Sequence, residues 1–367
     1  MTAFAPSAMT TLIDAPVRYD LAESTCPPLS VGDLADGAAL ARLRLDYGTS
    51  RGDAELRALI AADVGVTAEQ VLVTVGAIEA MFLLAQVTCV PGDRVLVATP
   101  CFPPARSIPE GLGMRVDVVP LAFDDGYRLP LDRFAQALTP QTRLVSLASP
   151  QNPSGVRFTE AELAAVLAAV AERAPRAVVL VDETYRASTY GAAPVPRSAA
   201  AMSPRIATCS SLSKAHGAPG LRLGWLTTTD AELYEQLRAA KFHSTIACST
   251  VDEFLAAQVL RQQAEILTAR ARRLGQALDE LLRWAREQPV EIVPPDGGAM
   301  CCLRLPAALF SDHAVAGFYA RLAEREVRVA PGSWFGEADR VFRLGFGHLP
   351  ANDFSAALDR LADALRA

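Results

Sequence analysis

Short apolar runs, each bounded by Gly, Pro or Asp, alternate along this chain with longer stretches in which apolar residues recur at helical spacing. Val71-Leu72-Val73-Thr74, Arg94 to Thr99, Met114 to Val119, Arg143 to Ala148 and Ala177 to Val181 read as buried strands. Between them, Glu55 to Ala62 carries Leu56, Leu59 and Ile60 on one helical face. Glu160 to Arg173 follows Thr159, with Glu162 three residues on. That spacing is a capping box, in which each side chain meets the other residue's free backbone N–H. Thr229 and Glu232 repeat the device ahead of a helix over Ala231 to Lys241. Strands alternating with helices imply βαβ units and a mostly parallel sheet, an α/β fold.

The pattern changes near Thr250. Val251 to Trp284 reads as almost continuously helical, with no Gly before Gly275 and no Pro before Pro289. A helix of that length can link two domains. After it come strand-like runs at Ala299 to Leu305, Val327 to Ala330 and Val341 to Phe346, then a final helix from Asp353 to Leu365. This is the signature of a smaller α+β domain. The Pro-rich, weakly periodic stretch up to Asp46 is expected to pack on it. The expected division is a large domain over residues 47–262 and a small one made of residues 1–46 and 263–367.

The 367 residues suffice for a large core, and 51% hydrophobic with 21% charged residues excludes a disordered chain. The net charge of −6 argues against nucleic acid as a main partner, since phosphate contact needs a basic surface. No apolar run approaches a membrane span, and Met1 to Asp20 lacks a basic stretch followed by an apolar core, so neither a membrane nor a secretory signal is expected. The seven cysteines, at 26, 89, 101, 209, 248, 301 and 302, form no CxxC pair. His216, His243, His313 and His348 show no ligand spacing either. No metal site is expected, and a reducing cytoplasm is the simplest compartment.

Only two lysines occur, Lys214 and Lys241, so chemistry that needs an amine has two candidates. Ser211-Leu212-Ser213-Lys214, followed by Gly217, Pro219, Gly220 and Arg222, comes directly after the strand-like Ile206 to Ser210. A lysine just past a strand suits a Schiff base, provided desolvation or nearby positive charge lowers its pKa. Val178 to Val181 ends in Asp182, with Tyr185 three residues beyond. Ligands of parallel sheets bind beyond the carboxyl ends of the strands, and a carboxylate there can hold a protonated ring nitrogen. Ser149-Pro150-Gln151-Asn152-Pro153-Ser154-Gly155 also follows a strand, and Val75-Gly76-Ala77-Ile78-Glu79 opens a helix whose amides could approach a phosphate. Each has a plainer reading when taken singly: a surface lysine in a turn, an N-cap aspartate, a Pro/Gly turn, a helix start without a ligand.

In their order and spacing, the four together resemble the fold-type I, pyridoxal-phosphate-dependent aminotransferases of class I/II. The resemblance runs from about Asp46 to the end. It includes Asp46-Tyr47-Gly48 with Gly52 and Leu56-Arg57, Pro91-Gly92-Asp93, Pro100-Cys101-Phe102, and Arg343 within Val341-Phe342-Arg343-Leu344. It implies a large domain with a mostly parallel central sheet between helices, plus a smaller α+β domain. It also implies pyridoxal 5'-phosphate as cofactor, with amino acid and 2-oxo acid substrates.

Residue by residue, the resemblance makes Lys214 the Schiff-base lysine that also shuttles the α-proton. Asp182 pairs with the pyridinium nitrogen and keeps the ring an electron sink. Tyr185 and Asn152 bond the cofactor's phenolic oxygen, and Phe102 stacks on the ring. The amides of Ala77 and Ile78, with Ser211, Ser213 and Arg222, hold the phosphate. Tyr47 reaches the phosphate of a neighbouring subunit, which implies a homodimer. Arg343 clamps the substrate α-carboxylate in a bidentate pair.

Three departures stand out. Ile78 replaces the Ser or Thr of many relatives. The segment Leu21 to Leu29 lacks their glycine-rich pattern, although it lies over the substrate in them. No second arginine is evident for a distal carboxylate. That N-terminal segment, Leu45 to Gly48, and Pro331-Gly332-Ser333-Trp334-Phe335-Gly336 look like a subgroup that includes capreomycidine synthase, whose reaction is elimination and ring closure. The expected reaction is transfer of an amino group from an L-amino acid to a 2-oxo acid. The alternative is a lyase or cyclase on the same scaffold. A cofactor-sensing regulator is disfavoured by the acidic charge and by a region before Tyr47 too short for a winged helix.

Overall fold

The structure, a computed structural model, describes Phe4 and residues 6–366. Its first strand is the two-residue β1 (Tyr19–Asp20). The large sheet has seven strands: β2 (Val71–Thr74), β3 (Arg94–Thr99), β4 (Arg115–Pro120), β5 (Thr142–Ala148), β6 (Val178–Asp182), β7 (Ile206–Ser211) and β8 (Gly224–Thr228). Their order is β2-β8-β7-β6-β5-β3-β4. Only β8 runs antiparallel, to β2 on one side and β7 on the other. The expected strands are therefore all present, with ends moved by at most a residue, but β4 is an edge strand and largely unburied, with only Val119 fully covered and Val118 exposed. β8 gives little signal in the sequence because Trp225 and Leu226 are its only large apolar residues.

A second sheet, of β9 (Glu291–Val293), β10 (Met300–Arg304), β12 (Ala330–Pro331) and β13 (Val341–Gly345), is antiparallel in the order β12-β13-β10-β9. The intervening β11 (Val327–Arg328) pairs with β1. Thus the chain's beginning joins its C-terminal part. Tyr19 and Leu21 share a core with Leu278, Leu281, Phe318 and Phe354, but Leu29 and Leu34 pack against another, beside Leu56, Ile60 and Leu255. The N-terminal stretch thus bridges both halves rather than lying on one.

Two local expectations need correction. The long helix is two helices, Thr250–Arg261 and Gln263–Arg286, separated at Gln262, whose φ of −96° and ψ of 4° leave the helical basin. The first turns Leu255, Val259 and Leu260 toward the large sheet's side, whereas the second turns Leu274, Leu278 and Leu281 toward the C-terminal core. One straight helix cannot aim its apolar stripe at both. The helix Ala231–Phe242 is capped by Asp230, not Thr229: its carboxylate accepts from the amides of Glu232 and Leu233. The Thr159–Glu162 box forms as expected. Among the described residues no helix is long and apolar enough to cross a membrane.

Candidate active site

β2, β5, β6 and β7 deliver their following residues to one end of the large sheet. Asp182 is the last residue of β6, Asn152 follows β5, Lys214 follows β7, and the helix Gly76–Thr88 follows β2. A carboxylate, an amide, an amine and a helix N-terminus converge because parallel strands put all their carboxyl ends on one edge.

Lys214 Nζ lies 3.3 Å from Glu23 Oε1 and 3.3 Å from Ser24 Oγ, and 5.9 Å from the centre of the Tyr185 ring. Ser24 Oγ is in turn 2.8 Å from Tyr185 Oη. Burial alone would lower the Lys214 pKa, but Tyr185 and the Glu23 carboxylate outweigh it and raise the net value. The sequence suggested an amine poised by a lowered pKa. Here it is held as an ammonium by an acid that the sequence reading did not single out. Burial pushes the Glu23 carboxyl up, but Lys214, Arg343, the Ser24 amide and His348 bring it down to about 2.

Lys241 is separated from this chemistry. Its side chain is completely buried and donates to Ser50 O at 2.9 Å, bracing the turn that follows Tyr47. Of the two lysines only Lys214 faces the cluster.

Asp182 accepts from the Thr184 amide at 2.9 Å and the Thr184 hydroxyl at 2.5 Å. Cys209 stands opposite it on β7. Burial nevertheless raises the Asp182 pKa, so the site favours a cationic partner for this carboxylate. Phe102, Asn152 and Asp182 line one pocket. Arg343, only 1% exposed, donates to Asn152 Oδ1 at 2.7 Å and to Ala22 O at 2.5 Å. Arg343 Nε is buried without a partner. Since Asn152 Oδ1 is engaged, its NH2 group is the end left to act as a donor.

The phosphate-type cradle is also assembled. The helix Gly76–Thr88 has Val75 as N-cap, which offers no side-chain acceptor. A methyl group at Gly224 would sit 2.5 Å from Ala77 N, and one at Gly76 would sit 2.7 Å from Arg222 Nη2. A guanidinium against the positive end of a helix is unfavourable unless an anion lies with them. Ile78 is exposed, and buried Ser211 accepts from the Ser213 amide at 3.3 Å.

Anion donors at one end, a buried carboxylate seeking a cation, an amine between them and an arginine with an unpaired N–H suit pyridoxal phosphate. Ala77, Ile78, Ser211, Ser213 and Arg222 would meet the phosphate, Asp182 the ring nitrogen, Asn152 and Tyr185 the phenolic oxygen, and Phe102 the ring face.

Tyr47 does not join its own chain's cluster: it is 86% exposed. His216 is buried among Arg186, Gln263 and Arg270, and burial lowers its pKa to about 4, so it stays neutral. Glu23, Ser24, Thr184 and Cys209 belong to the site without a motif that marks them in the sequence. Glu23 had one local signal, a lone charge within the otherwise small and apolar Leu21 to Cys26.

Beside Tyr47, Glu253 is buried against Gly48 and Gly52, and burial raises its carboxyl to about 7 despite Lys241. A folded pKa above the free value of 4.5 favours the protonated form. Stability from this group is complete below the free value and lost as pH rises through 7. Glu253→Gln, neutral throughout, should match the parent at about pH 4 and exceed it by about 1–3 kcal/mol at pH 8.5. Thermal unfolding of the cofactor-loaded protein at both pH values checks this, and equal midpoints at pH 8.5 would contradict it.

Comparison with known proteins gives the family. A family model described as aminotransferase class I and II matches residues 18–361. Capreomycidine synthase from Streptomyces vinaceus is 30% identical over 360 residues, 95% of this chain and 90% of the relative. Arginine–pyruvate transaminase of Pseudomonas aeruginosa is 31% identical over 316 residues, 82% of this chain and 77% of the relative. The solved PLP-dependent cyclase OrfR superposes with a TM-score of 0.86 at 29% identity, over 99% of this chain and 97% of its own. With its mostly parallel seven-stranded sheet and its converging Lys214, Asp182, Tyr185, Asn152 and Arg343, the chain belongs to the class I and II aminotransferase family, has the type I fold, and takes pyridoxal phosphate as cofactor.

Proposed function

We propose that the protein is an aminotransferase that moves the amino group of an L-amino acid to a 2-oxo acid, with Lys214 as the Schiff-base lysine. The observation that carries this reading is the placement of Lys214 Nζ amid Asp182, Tyr185 and Arg343 at the carboxyl end of the sheet. Pyridoxal phosphate, when bound, supplies a ring that accepts the electron pair left as the substrate's α-proton departs. Asp182 keeps that ring's nitrogen protonated by offering it a buried carboxylate. Arg343 holds the substrate α-carboxylate, with Asn152 and the Ala22 carbonyl fixing the guanidinium plane. Lys214, once neutral, takes the proton from the α-carbon, and Ser24 and Tyr185 orient its nitrogen.

We read the working unit as a homodimer in which Tyr47 reaches the partner's phosphate site. Its exposure beside exposed Leu45, with Ile78, Phe242 and Ile246 also exposed, supports this. Seven free thiols support a cytoplasmic setting.

A second reading, a lyase or cyclase, has its own observation. The segment Glu23 to Leu29 is strapped across Lys214: Cys26 N donates to Lys214 O at 3.1 Å, and Leu29 N to Gly217 O at 2.8 Å. It brings into the site an acid and a hydroxyl beyond what amino transfer needs. Dependence on a 2-oxo acid separates the two. Mixed with its amino acid alone, the loaded enzyme should stop after one equivalent per site, and added 2-oxo acid should restore turnover. Many turnovers without any 2-oxo acid would leave the lyase or cyclase in place.

A further inference from the structure

We infer that Glu23 is a specificity-determining residue that selects L-amino acids carrying a second cation on the side chain. The inference rests on the proposed Lys214 chemistry and extends it to the substrate's far end.

Among the described residues the Glu23 carboxylate has one ion-pair partner, Lys214 at 3.3 Å. Its Oε1 also accepts from the amides of Ser24 at 2.7 Å and Thr25 at 2.9 Å, which hold it in place. The backbone beneath it is fixed as well. Gly345 N donates to Leu21 O at 2.6 Å, and a methyl group at Gly345 would collide with Glu23 O. The carboxylate cannot swing out to water without undoing these contacts.

The surrounding charges become committed when substrate binds. To take a proton from the α-carbon, Lys214 must be neutral, and it then offers Glu23 no ion pair. Arg343 is hydrogen-bonded to Asn152 and Ala22, and its remaining donor capacity meets the α-carboxylate. His348, the other basic group nearby, is bonded to Thr25 Oγ1 at 3.2 Å rather than to the carboxylate. A largely buried carboxylate that keeps only its two backbone amides and no paired cation is less well compensated than before. A guanidinium or ammonium on the substrate side chain restores the balance, and a neutral side chain leaves it broken.

The test uses the cofactor-loaded enzyme and matched pairs that differ in charge more than in shape: L-arginine with L-citrulline, and L-lysine with L-norleucine. Dissociation constants come from titrating the cofactor's absorbance. In the parent, at least one cationic member should bind roughly tenfold or more tighter than its neutral counterpart. In Glu23→Gln the ratio should fall to within about threefold. Gln keeps an oxygen for the Ser24 and Thr25 amides, so the strap is preserved, and taking ratios cancels any common effect on Lys214. In Glu23→Asp, which keeps the charge, the preference should survive in part. Equal binding of both members in the parent, or an undiminished ratio in Glu23→Gln, overturns the inference while leaving the Lys214 chemistry intact. A separate arm reduces the loaded protein with borohydride and maps the modified residue. Label absent from Lys214 overturns both readings together.

Discussion

Lys214→Ala should abolish covalent attachment of the cofactor and reduce turnover by at least about ten-thousandfold, on the order of 5 kcal/mol of lost transition-state stabilisation. The size follows from two roles falling on one nitrogen: it anchors the cofactor and carries the α-proton. Lys241 cannot take over, because it is fully buried and donates to Ser50 O. Borohydride reduction followed by peptide mapping should label Lys214 in the parent and nothing in the variant. A reducible adduct at Lys241 would refute the assignment. The variant should remain folded, because truncation removes the partner of a carboxylate that still has two backbone amides.

Asp182→Asn should lower kcat/KM by about a thousandfold, roughly 4 kcal/mol, while the protein still takes up cofactor. The substitution preserves shape. The amide oxygen can still accept from Thr184, whose amide and hydroxyl hold Oδ1. What disappears is the negative charge opposite the ring nitrogen, and with it the preference for a protonated, electron-accepting ring. Arg343 and the phosphate cradle are untouched, so affinity for the amino acid should change far less than kcat. A variant with kcat near that of the parent would show that Asp182 does not face the ring nitrogen. A change confined to KM would place it against the substrate instead.

The elements that position these groups were legible because their signals are local. Val178 to Val181 is an apolar run that must be buried, and Asp182 ends it. Val71 to Thr74 does the same ahead of Gly76, and Ile206 to Ser210 ahead of Lys214. A periodic or uniformly apolar run reports its own burial, and the polar residue that stops it reports the sheet edge. The resemblance then gave each residue at that edge its expected role, and the geometry places Asp182, Tyr185, Asn152, Phe102 and Arg343 around one centre. Tyr47 lies apart from its own chain's centre and is exposed, as the proposed homodimer requires.

Taken alone, the sequence determined the α/β class, the strands of the large sheet other than β8, and the cofactor. Each depends on neighbours in the chain or on a motif of fixed spacing. Tertiary structure alone decided where the long helix breaks, and that Glu23 and Ser24 close over Lys214. Glu23 and Lys214 are 191 positions apart, and no local period links them. Their meeting depends on Gly345 and Gly217 letting two backbones approach where a side chain would collide, and on β1 pairing with β11 to pull the N-terminal strap across the sheet edge. Such contacts are set by how whole elements pack. The charge balance that points to the substrate appears only after they have packed.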